Sequence, residues 1–253
     1  MIDLSPLRSE SLLGKLARLP LRLIPPGAVV PILQGQLRGA RWIVGSGVHG
    51  CWLGFYESAK QREIAKRVRR GSDVFDVGAH VGFYTLLFSR LAGTQGRVAA
   101  FEPNRANLAL LRRHLALNDV ANVEVVQAAV TSRSGLTRFA SGDSSYTGHT
   151  SREGDSTVAA TSLDDWWKDH ADWCPSVLKV DVEGSELHVL RGAEAVLRKA
   201  VPVVFVATHG PDLRAATVDF LRARGYDVVG LSGEPAEQSE ELVATPRSRA
   251  RRA

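Results

Sequence analysis

The sequence lacks the features that mark several large classes of protein. Only two of its 253 residues are cysteines, Cys51 and Cys174, and they form no paired motif. This excludes a disulfide-stapled scaffold and a zinc ribbon. No apolar run approaches the ~20 residues that a membrane-spanning helix needs, and the N-terminus has no secretory-signal pattern. We therefore expect a cytoplasmic globular protein without a membrane span.

The positive charge is confined to one part of the chain. Lys and Arg number 32 against 27 Asp and Glu, a net charge of +5. Residues 1–70 carry +8, residues 71–232 carry −3 and residues 233–253 are neutral. Because the long middle region is mildly acidic, the charge is not the footprint of a nucleic-acid enzyme. The basic run at 60–70 predicts a solvated helix face, or a surface for an anionic acceptor or an acidic carrier domain.

The chain divides into an N-terminal cap that selects the substrate (1–70), a core (71–232) and a disordered tail (233–253) with few large apolar groups. In the core, short β-branched runs alternate with helical periodicity. This pattern predicts an α/β fold with a doubly wound, mostly parallel sheet. The main predicted strands are 74–77, 98–101, 123–130, 177–182, 201–207 and 226–231, with extra strands at 136–139 and 157–160. Ligands of such sheets bind at the carboxyl ends of the strands.

A glycine turn follows the first predicted core strand and opens a helix, in the run Asp76-Val-Gly78-Ala-His80-Val-Gly82. Its glycines are four residues apart, so neither a dinucleotide fingerprint nor a phosphate-cradling loop is present. Gly78 permits unusual backbone angles, and Gly82 would let the chain approach a ligand closely. A carboxylate before the turn would repel a pyrophosphate but suits a ligand with an ammonium group, such as S-adenosylmethionine (SAM).

Two more groups of polar residues follow predicted strands. Glu102 ends the second strand, where its carboxylate can accept hydrogen bonds from both hydroxyls of a ribose. Three carboxylates, at Asp181, Glu183 and Glu186, follow the strand 177–182. Crowded carboxylates cost free energy unless a ligand, a metal or a proton relieves them. Asp181 is therefore a candidate functional residue, whereas Glu186 also suits the first turn of a helix.

With these motifs in view, the chain resembles the FkbM-type SAM-dependent methyltransferases over roughly residues 35–210. The resemblance rests on VFDVGAHVGFYTLLFSRLAG (74–93), FEPN (101–104), TSLDDW (161–166) and LKVDVEGSELHVLRGAEAVL (178–197), with GCWLGFYE (50–57) upstream. It implies a class I methyltransferase, Rossmann-like fold and methylation of hydroxyl oxygens, often on natural products or sugars. It places four residues at SAM-binding positions, namely Asp76, Gly78, Gly82 and Glu102. We expect six further residues on the cofactor side: His80, Tyr84, Thr85, Asn104, Gln127 and Ala128.

The sequence departs from the family pattern at two positions. His80 stands where the family commonly has Asn, and Thr208 stands before His209 where an acidic residue is more usual. The second departure weakens a two-point metal site, and Asp181 alone is a poor Mg²⁺ site because Mg²⁺ needs several oxygen ligands. We therefore expect no metal, with Mg²⁺ at Asp181 as the alternative.

The proposed chemistry is transfer of a methyl group to a hydroxyl of a small molecule, such as a polyketide-like natural product or a sugar. An alcohol is a weak nucleophile, so a general base is expected, and the candidates are His209, which titrates near neutrality, and Asp181. Trp42, Trp52, Phe55 and Tyr56 could line an apolar acceptor pocket. Two alternatives remain, a nucleic-acid methyltransferase and a non-catalytic Rossmann-like binding module. No nucleic-acid partner is expected, because the chain has no matching amino-methylation motif and no RNA-binding signature.

Overall fold

The computed structural model describes residues 23–140, 149, 150, 154 and 156–247. Its strands, numbered along the chain, form one large and two small sheets. They are β1 (Val29–Pro31), β2 (Arg41–Ile43), β3 (Asp73–Val77), β4 (Arg97–Phe101), β5 (Val123–Val126), β6 (Ala129–Val130), β7 (Gly135–Ala140), β8 (His149–Thr150), β9 (Ser156–Thr161), β10 (Pro175–Val180), β11 (Val203–Ala207), β12 (Tyr226–Gly230) and β13 (Glu241–Pro246).

The large sheet has seven strands in the order β12-β13-β11-β10-β3-β4-β5. All are parallel except β13, which pairs antiparallel with both of its neighbours. The first core strand, β3, lies between the second, β4, and the fourth, β10, so the strand order reverses there. This confirms the predicted doubly wound, mostly parallel α/β architecture and places a ligand crevice at the carboxyl ends of β3 and β10.

The prediction of a disordered tail from residue 233 is wrong for residues 233–247. Strand β13 lies inside the sheet, and its Leu242, Val243 and Ala244 are buried. The run Glu-Leu-Val-Ala-Thr-Pro is short and follows an acidic stretch, so its composition alone did not indicate a strand. Its pairing with β11 and β12, strands earlier in the chain, supplies the stability that local propensity does not. Residues 248–253 of the predicted tail lie outside the described residues.

The predicted strand 123–130 is wrong as a single element. It divides at Gln127 into β5, which belongs to the large sheet, and β6, which belongs to a four-stranded sheet in the order β6-β9-β7-β8. The predicted strands at 136–139 and 157–160 correspond to β7 and β9 and are confirmed. The chain therefore leaves the large sheet directly beside the crevice, and the small sheet brings Phe139 to it.

Helices cover both faces of the large sheet. They are α1 (His49–Leu53), α2 (Ser58–Arg67), α3 (Phe83–Ala92), α4 (Arg105–Leu117), α5 (Leu163–Asp169), α6 (Glu186–Arg191) and α7 (Pro211–Arg222), with a π-helix at Val196–Ala200. Alternate strand residues enter two separate cores, because side chains on a strand alternate between faces. Val74 packs in one core with Trp42 and α3, whereas Phe75 packs in the other with Trp166.

The described part of the N-terminal cap packs on the core that contains Val74. Its β1–β2 hairpin lies against α4, since Asn118 hydrogen-bonds both backbone polar groups of Arg41. Its α2 lies beside the carboxyl ends of the large sheet, where Lys60 contacts Asp181 and Glu241. The cap therefore reaches the carboxyl ends of the sheet through α2, and its Cys51 and Tyr56 line the crevice itself. Residues 1–22 of the predicted cap lie outside the described residues.

Candidate active site

The glycine turn packs tightly against the neighbouring strand end. Gly78 has a φ of +74°, and a Cβ at this position would lie 1.8 Å from the backbone oxygen of Asp181. Gly82 has a φ of +92°, and its Cβ would lie 3.1 Å from Cγ of Leu111 on α4. The missing Cβ at Gly82 thus lets the turn pack closely against α4. Only glycine meets both requirements, a positive φ and the absent Cβ.

Asp76 lies behind the crevice rather than on its surface. Its side chain is fully buried, accepts a hydrogen bond from Thr85 Oγ1 at 2.7 Å and lies 3.4 Å from Nζ of Lys179. Asp76 and Lys179 are register neighbours on β3 and β10, so this is a cross-strand ion pair. The ammonium group that Asp76 faces therefore belongs to Lys179, which also donates to the Gly78 carbonyl at 2.8 Å. The buried hydrogen bond between Thr85 and Asp76 holds the two ends of the glycine turn together.

Glu102 presents a buried carboxylate to the crevice. Its oxygens accept hydrogen bonds from the backbone N–H of His80 at 2.8 Å and of Asn104 at 2.9 Å. Burial raises the pKa of Glu102, and these two N–H groups, the Asn107 amide and the Lys179 charge oppose that rise. The carboxylate is held rigidly at the end of β4, with acceptor capacity left for hydroxyl donors.

The crevice brings together many, but not all, of the predicted cofactor residues. Its walls include His80, Tyr84, Ala128 and Gly78 beside Glu102. Asn104 instead caps α4, accepting from the N–H groups of Ala106 and Asn107. Gln127 is exposed and does not line the crevice. The remaining lining residues are Cys51, Tyr56, Val77, Ala79, Val81, Phe83, Phe101, Pro103, Asn107, Ala129, Val130, Phe139, Lys179, Asp181, Val182, Glu183 and Ser185.

Asp181 stands at the other side of the crevice between two buried lysines. Its Oδ2 lies 3.7 Å from Nζ of Lys179 and 3.8 Å from Nζ of Lys60, whose side chains are 3% and 1% exposed. Burial opposes the ionisation of Asp181, but the two ammonium groups outweigh it and hold its pKa below the usual range. A charged carboxylate therefore faces the crevice at neutral pH.

Lys60 is a site residue that the sequence did not reveal. Its ammonium group lies 2.8 Å from Glu241 and 3.3 Å from Glu57 in addition to Asp181. Glu57 in turn accepts from the hydroxyl of Tyr84 at 2.5 Å. The expectation of a wholly solvated basic helix face at 60–70 is therefore wrong at Lys60, although Lys66, Arg69 and Arg70 are exposed. In the sequence, only the interruption of basic residues by an apolar residue, Ile64, hinted that one side of α2 is buried.

His209 is held between two carboxylates. Its Nδ1 lies 2.8 Å from Oε1 of Glu186, and its Nε2 lies 3.2 Å from Oε2 of Glu183. The hydrogen bond to Glu186 is the main reason that the pKa of His209 rises to about 9. The expectation that His209 titrates near neutrality is therefore wrong, and it does not line the crevice.

A sequence model of the methyltransferase FkbM domain matches residues 76–228, more than half of the chain. The chain belongs to the FkbM methyltransferase family. The resemblance that the sequence motifs indicated is thereby confirmed.

Two curated proteins are similar to this FkbM methyltransferase. Methyltransferase sdnD from Sordaria araneosa is 28% identical, over 69% of this chain and 81% of that protein. Hexuronic acid methyltransferase AglP from Haloferax volcanii is 33% identical, over 58% of this chain and 60% of that protein. The alignment with AglP thus spans less than two thirds of its length.

Solved structures with similar folds include the FkbM methyltransferase from Methylobacillus flagellatus, with a TM-score of 0.49 and 22% identity over 69% of this chain and 44% of that chain. Fibrillarin from Aeropyrum pernix, solved with S-adenosyl-L-methionine bound, has a TM-score of 0.45 and 15% identity over 70% of this chain and 67% of that chain. Within the described part of this FkbM methyltransferase, no helix is both long enough and apolar enough to cross a membrane.

The aromatic residues divide between the crevice and the two cores. Tyr56 lines the crevice, as predicted for an acceptor pocket. Trp42 is fully buried and stacks on His114, with ring centroids 3.9 Å apart, and Trp52 is also buried away from the crevice lining. The acceptor-pocket prediction is therefore wrong for both tryptophans, which the cap uses to attach to the core.

Proposed function

We propose that this FkbM methyltransferase uses SAM to methylate a hydroxyl group of a small molecule. The observation that carries the proposal is one crevice that holds the Glu102 carboxylate on one side and the Asp181 carboxylate on the other. Glu102 suits the diol of a ribose, and Asp181 suits a hydroxyl that must lose its proton. Both lie at carboxyl ends of strands flanking the switch in strand order, where doubly wound sheets bind ligands.

The residues of the crevice fit SAM chemically. The Glu102 carboxylate is fixed by two backbone N–H groups and still accepts hydroxyl donors, while the apolar side chains of Phe101, Ala128 and Val130 suit a flat heterocycle. The glycine turn would receive the rest of the cofactor, held in place by Asp76, Thr85 and Lys179. When bound, SAM supplies a methyl group activated by its positively charged sulfur.

Asp181 is the group that we assign to the acceptor hydroxyl. Its carboxylate lines the crevice, whereas both ring nitrogens of His209 contact other carboxylates. Asp181 orients the hydroxyl by accepting its hydrogen bond, and it takes the proton as the oxygen–carbon bond to the methyl group forms and the carbon–sulfur bond breaks. The lysines behind Asp181 hold the carboxylate in place, so most of the rate gain comes from positioning.

The acceptor side is formed by Tyr56 from the cap and Phe139 from the small sheet. These aromatic side chains favour an acceptor with an apolar or ring-shaped surface, such as a sugar or a cyclic natural product. AglP is named as a hexuronic acid methyltransferase, so uronic acids belong in the first set of acceptors tested.

Calorimetry with SAM and the purified protein tests the cofactor part of the proposal. We expect saturable binding that Glu102→Ala weakens about 10- to 100-fold, because two hydrogen bonds to a charged acceptor are lost. Asp169→Asn, an exposed acid on α5, is the matched control and should leave affinity unchanged. Absence of SAM binding to the folded wild-type protein would contradict the proposal.

Transfer of a labelled methyl group to a panel of sugars, uronic acids and polyketide-like alcohols tests the reaction. For any acceptor that is methylated, Asp181→Asn should lower kcat about 100-fold or more while SAM affinity stays within about two-fold. Product analysis should place the label on oxygen. Label on nitrogen or carbon would reject the hydroxyl assignment even if SAM binds.

A further inference from the structure

Three side chains meet at the edge of the crevice with the geometry of metal ligands. Asp181, Glu183 and His209 each present one ligand atom, and these atoms lie within 4.8 Å of one another. The first two lie in the loop after β10, and His209 follows β11, so adjacent parallel strands bring them together. Asp181 and Glu183 also line the crevice.

Glu186 provides a second, independent feature. It lies behind His209, is fully buried, and its Oε1 accepts from both Nδ1 of His209 at 2.8 Å and the backbone N–H of Gly184 at 3.0 Å. Its Oε2 is buried and has no hydrogen-bond partner among the described residues. A carboxylate on one ring nitrogen turns the other toward a metal, the arrangement that commonly supports a metal-bound histidine.

The charges around His209 are unbalanced. Three carboxyl groups, those of Asp181, Glu183 and Glu186, surround one imidazole ring. Lys60 and Lys179 both lie near Asp181, but Lys60 also pairs with Glu57 and Glu241, and Lys179 also pairs with Asp76. Glu186 pairs with no lysine or arginine in the part of the chain that the structure describes. Carboxylates therefore outnumber the lysines around this cluster, and one of them, Glu186, is fully buried, which favours a further positive charge there.

We propose that Asp181, Glu183 and His209 bind one divalent transition-metal cation at the edge of the crevice, with Glu186 as the supporting carboxylate. A mixed set of two carboxylates and one imidazole suits Mn²⁺, Fe²⁺ or Zn²⁺ better than Mg²⁺, which prefers oxygen ligands. Three protein ligands leave coordination positions open. The cation would replace the direct contact between His209 and Glu183.

The cation also gives the crevice a second way to hold the acceptor. An open coordination position beside Asp181 would take the acceptor oxygen, since a bound cation lowers the pKa of a coordinated hydroxyl. Asp181 would still accept the proton of the acceptor hydroxyl. This catalytic role rests on the proposed function, whereas cation binding itself does not.

Mn²⁺ titrated into chelator-treated protein and followed by electron paramagnetic resonance tests the site. We expect one Mn²⁺ per chain, with affinity at least 10-fold weaker in Glu183→Gln and in His209→Asn. Glu186→Gln should weaken binding 10- to 100-fold, because a neutral amide supports the imidazole less strongly than a carboxylate does, and Asp169→Asn should not change it. Mg²⁺ should compete only at much higher concentration.

A thermal melt keeps the test valid if a variant folds poorly. Mn²⁺ should raise the Tm of the wild-type protein, because a ligand that binds only the folded state stabilises it, and should leave the Tm of Glu183→Gln unchanged. No saturable Mn²⁺ binding by the wild type, or equal binding by Glu183→Gln and His209→Asn, would overturn the proposal.

SAM calorimetry in excess chelator separates this proposal from the proposed function. Mn²⁺ binding without SAM binding would retain the cation site and reject the function. SAM binding and full methyl transfer by protein freed of metal would retain the function and reject the catalytic role of the cation, whereas the Mn²⁺ titration alone decides whether the cation site exists.

Discussion

Two of the attachments between the cap and the core differ in charge. Beside the crevice, α2 buries the ammonium group of Lys60 among three carboxylates. At α4, the β1–β2 hairpin meets the imidazole of His114. This ring is fully buried, donates from Nδ1 to the Val81 carbonyl at 2.8 Å and accepts from the Ile43 N–H at 3.2 Å. Burial lowers the pKa of His114 to about 4, so this attachment is neutral.

This difference in charge indicates that the Lys60 attachment has a role at the crevice in addition to stabilising the fold. Trp42 stacked on His114 holds the hairpin through apolar contact and satisfied hydrogen bonds, without the cost of burying a charge. Burying Lys60 carries a large desolvation cost that its ion pairs only offset. A charged attachment is therefore expected where the charges are needed, and here they hold Asp181 in the crevice.

The charged attachment depends on the C-terminal strand, so truncation should produce the largest effect. A chain ending at Ser232 loses β13, whose residues pair with both β11 and β12, and loses Glu241, a partner of Lys60. We expect loss of cooperative unfolding and of SAM binding, measured by urea denaturation and calorimetry. A chain ending at Arg247, which keeps all of β13, is the matched control and should unfold cooperatively. Cooperative unfolding of the shorter chain would show that β13 is dispensable.

Substitution of the buried lysine should have the next largest effect. Lys60→Met leaves Glu57, Asp181 and Glu241 with too little compensating charge, and should lower the free energy of unfolding by about 3–5 kcal/mol. Lys66→Met is the matched control on the same helix. The Lys66 side chain is 66% exposed and pairs with Glu63, so its loss should cost no more than about 0.5 kcal/mol. Equal effects in urea denaturation would remove the distinction between the two attachments.

The parts of the candidate site differ in how far the sequence predicts them. The glycine turn, Glu102 and the acidic run at Asp181 could be recognised because each is a short motif at the end of a predicted strand. Lys60 and Glu241 could not, because 181 residues separate them and each looks like an ordinary surface charge. Their pairing requires the antiparallel insertion of β13, which no local pattern indicates.

A residue that lies at a predicted strand end can contact a different partner from the one that the sequence suggests. Asp76 was expected to face a ligand, but the alternation of side chains on β3 directs it to the sheet face that also holds Lys179. His209 was expected to titrate near neutrality, but its hydrogen bond to Glu186, 23 positions earlier in the chain, raises the pKa of His209 to about 9. Strand-end position is thus predictable from sequence, whereas the contacts that set protonation are not.

Acid should weaken the neutral attachment. His114 has a pKa of about 4 in the folded protein, below the usual 6.5, so the unfolded chain binds a proton more readily. Stability is therefore complete above about pH 6.5 and is lost as the pH falls toward 4. At pH 5 the expected loss from this group is about 2 kcal/mol relative to pH 7.5. Urea denaturation at both pH values measures it.

A variant without the titrating ring isolates this effect from other acid-sensitive groups. His114→Gln keeps a polar side chain but cannot gain a proton in this range. Its loss of stability between pH 7.5 and pH 5 should be smaller than that of the wild type by about 2 kcal/mol. Equal losses in the two proteins would show that His114 is already protonated in the fold, and that both attachments are charged.

The exposed basic residues beyond Lys60 should have the smallest effect, and one that depends on the acceptor. Lys66, Arg69 and Arg70 are exposed, and the end of α2 at Arg67 lies ~10 Å along the helix from Lys60, about one Debye length at physiological salt. The triple change to Glu should therefore alter the KM of a free small acceptor less than about two-fold.

If the acceptor is presented by an acidic carrier domain, which meets this surface directly, the same change should raise KM several-fold. Steady-state assays with free and carrier-bound acceptor distinguish the two, because only the second places opposite charges in contact with the basic face.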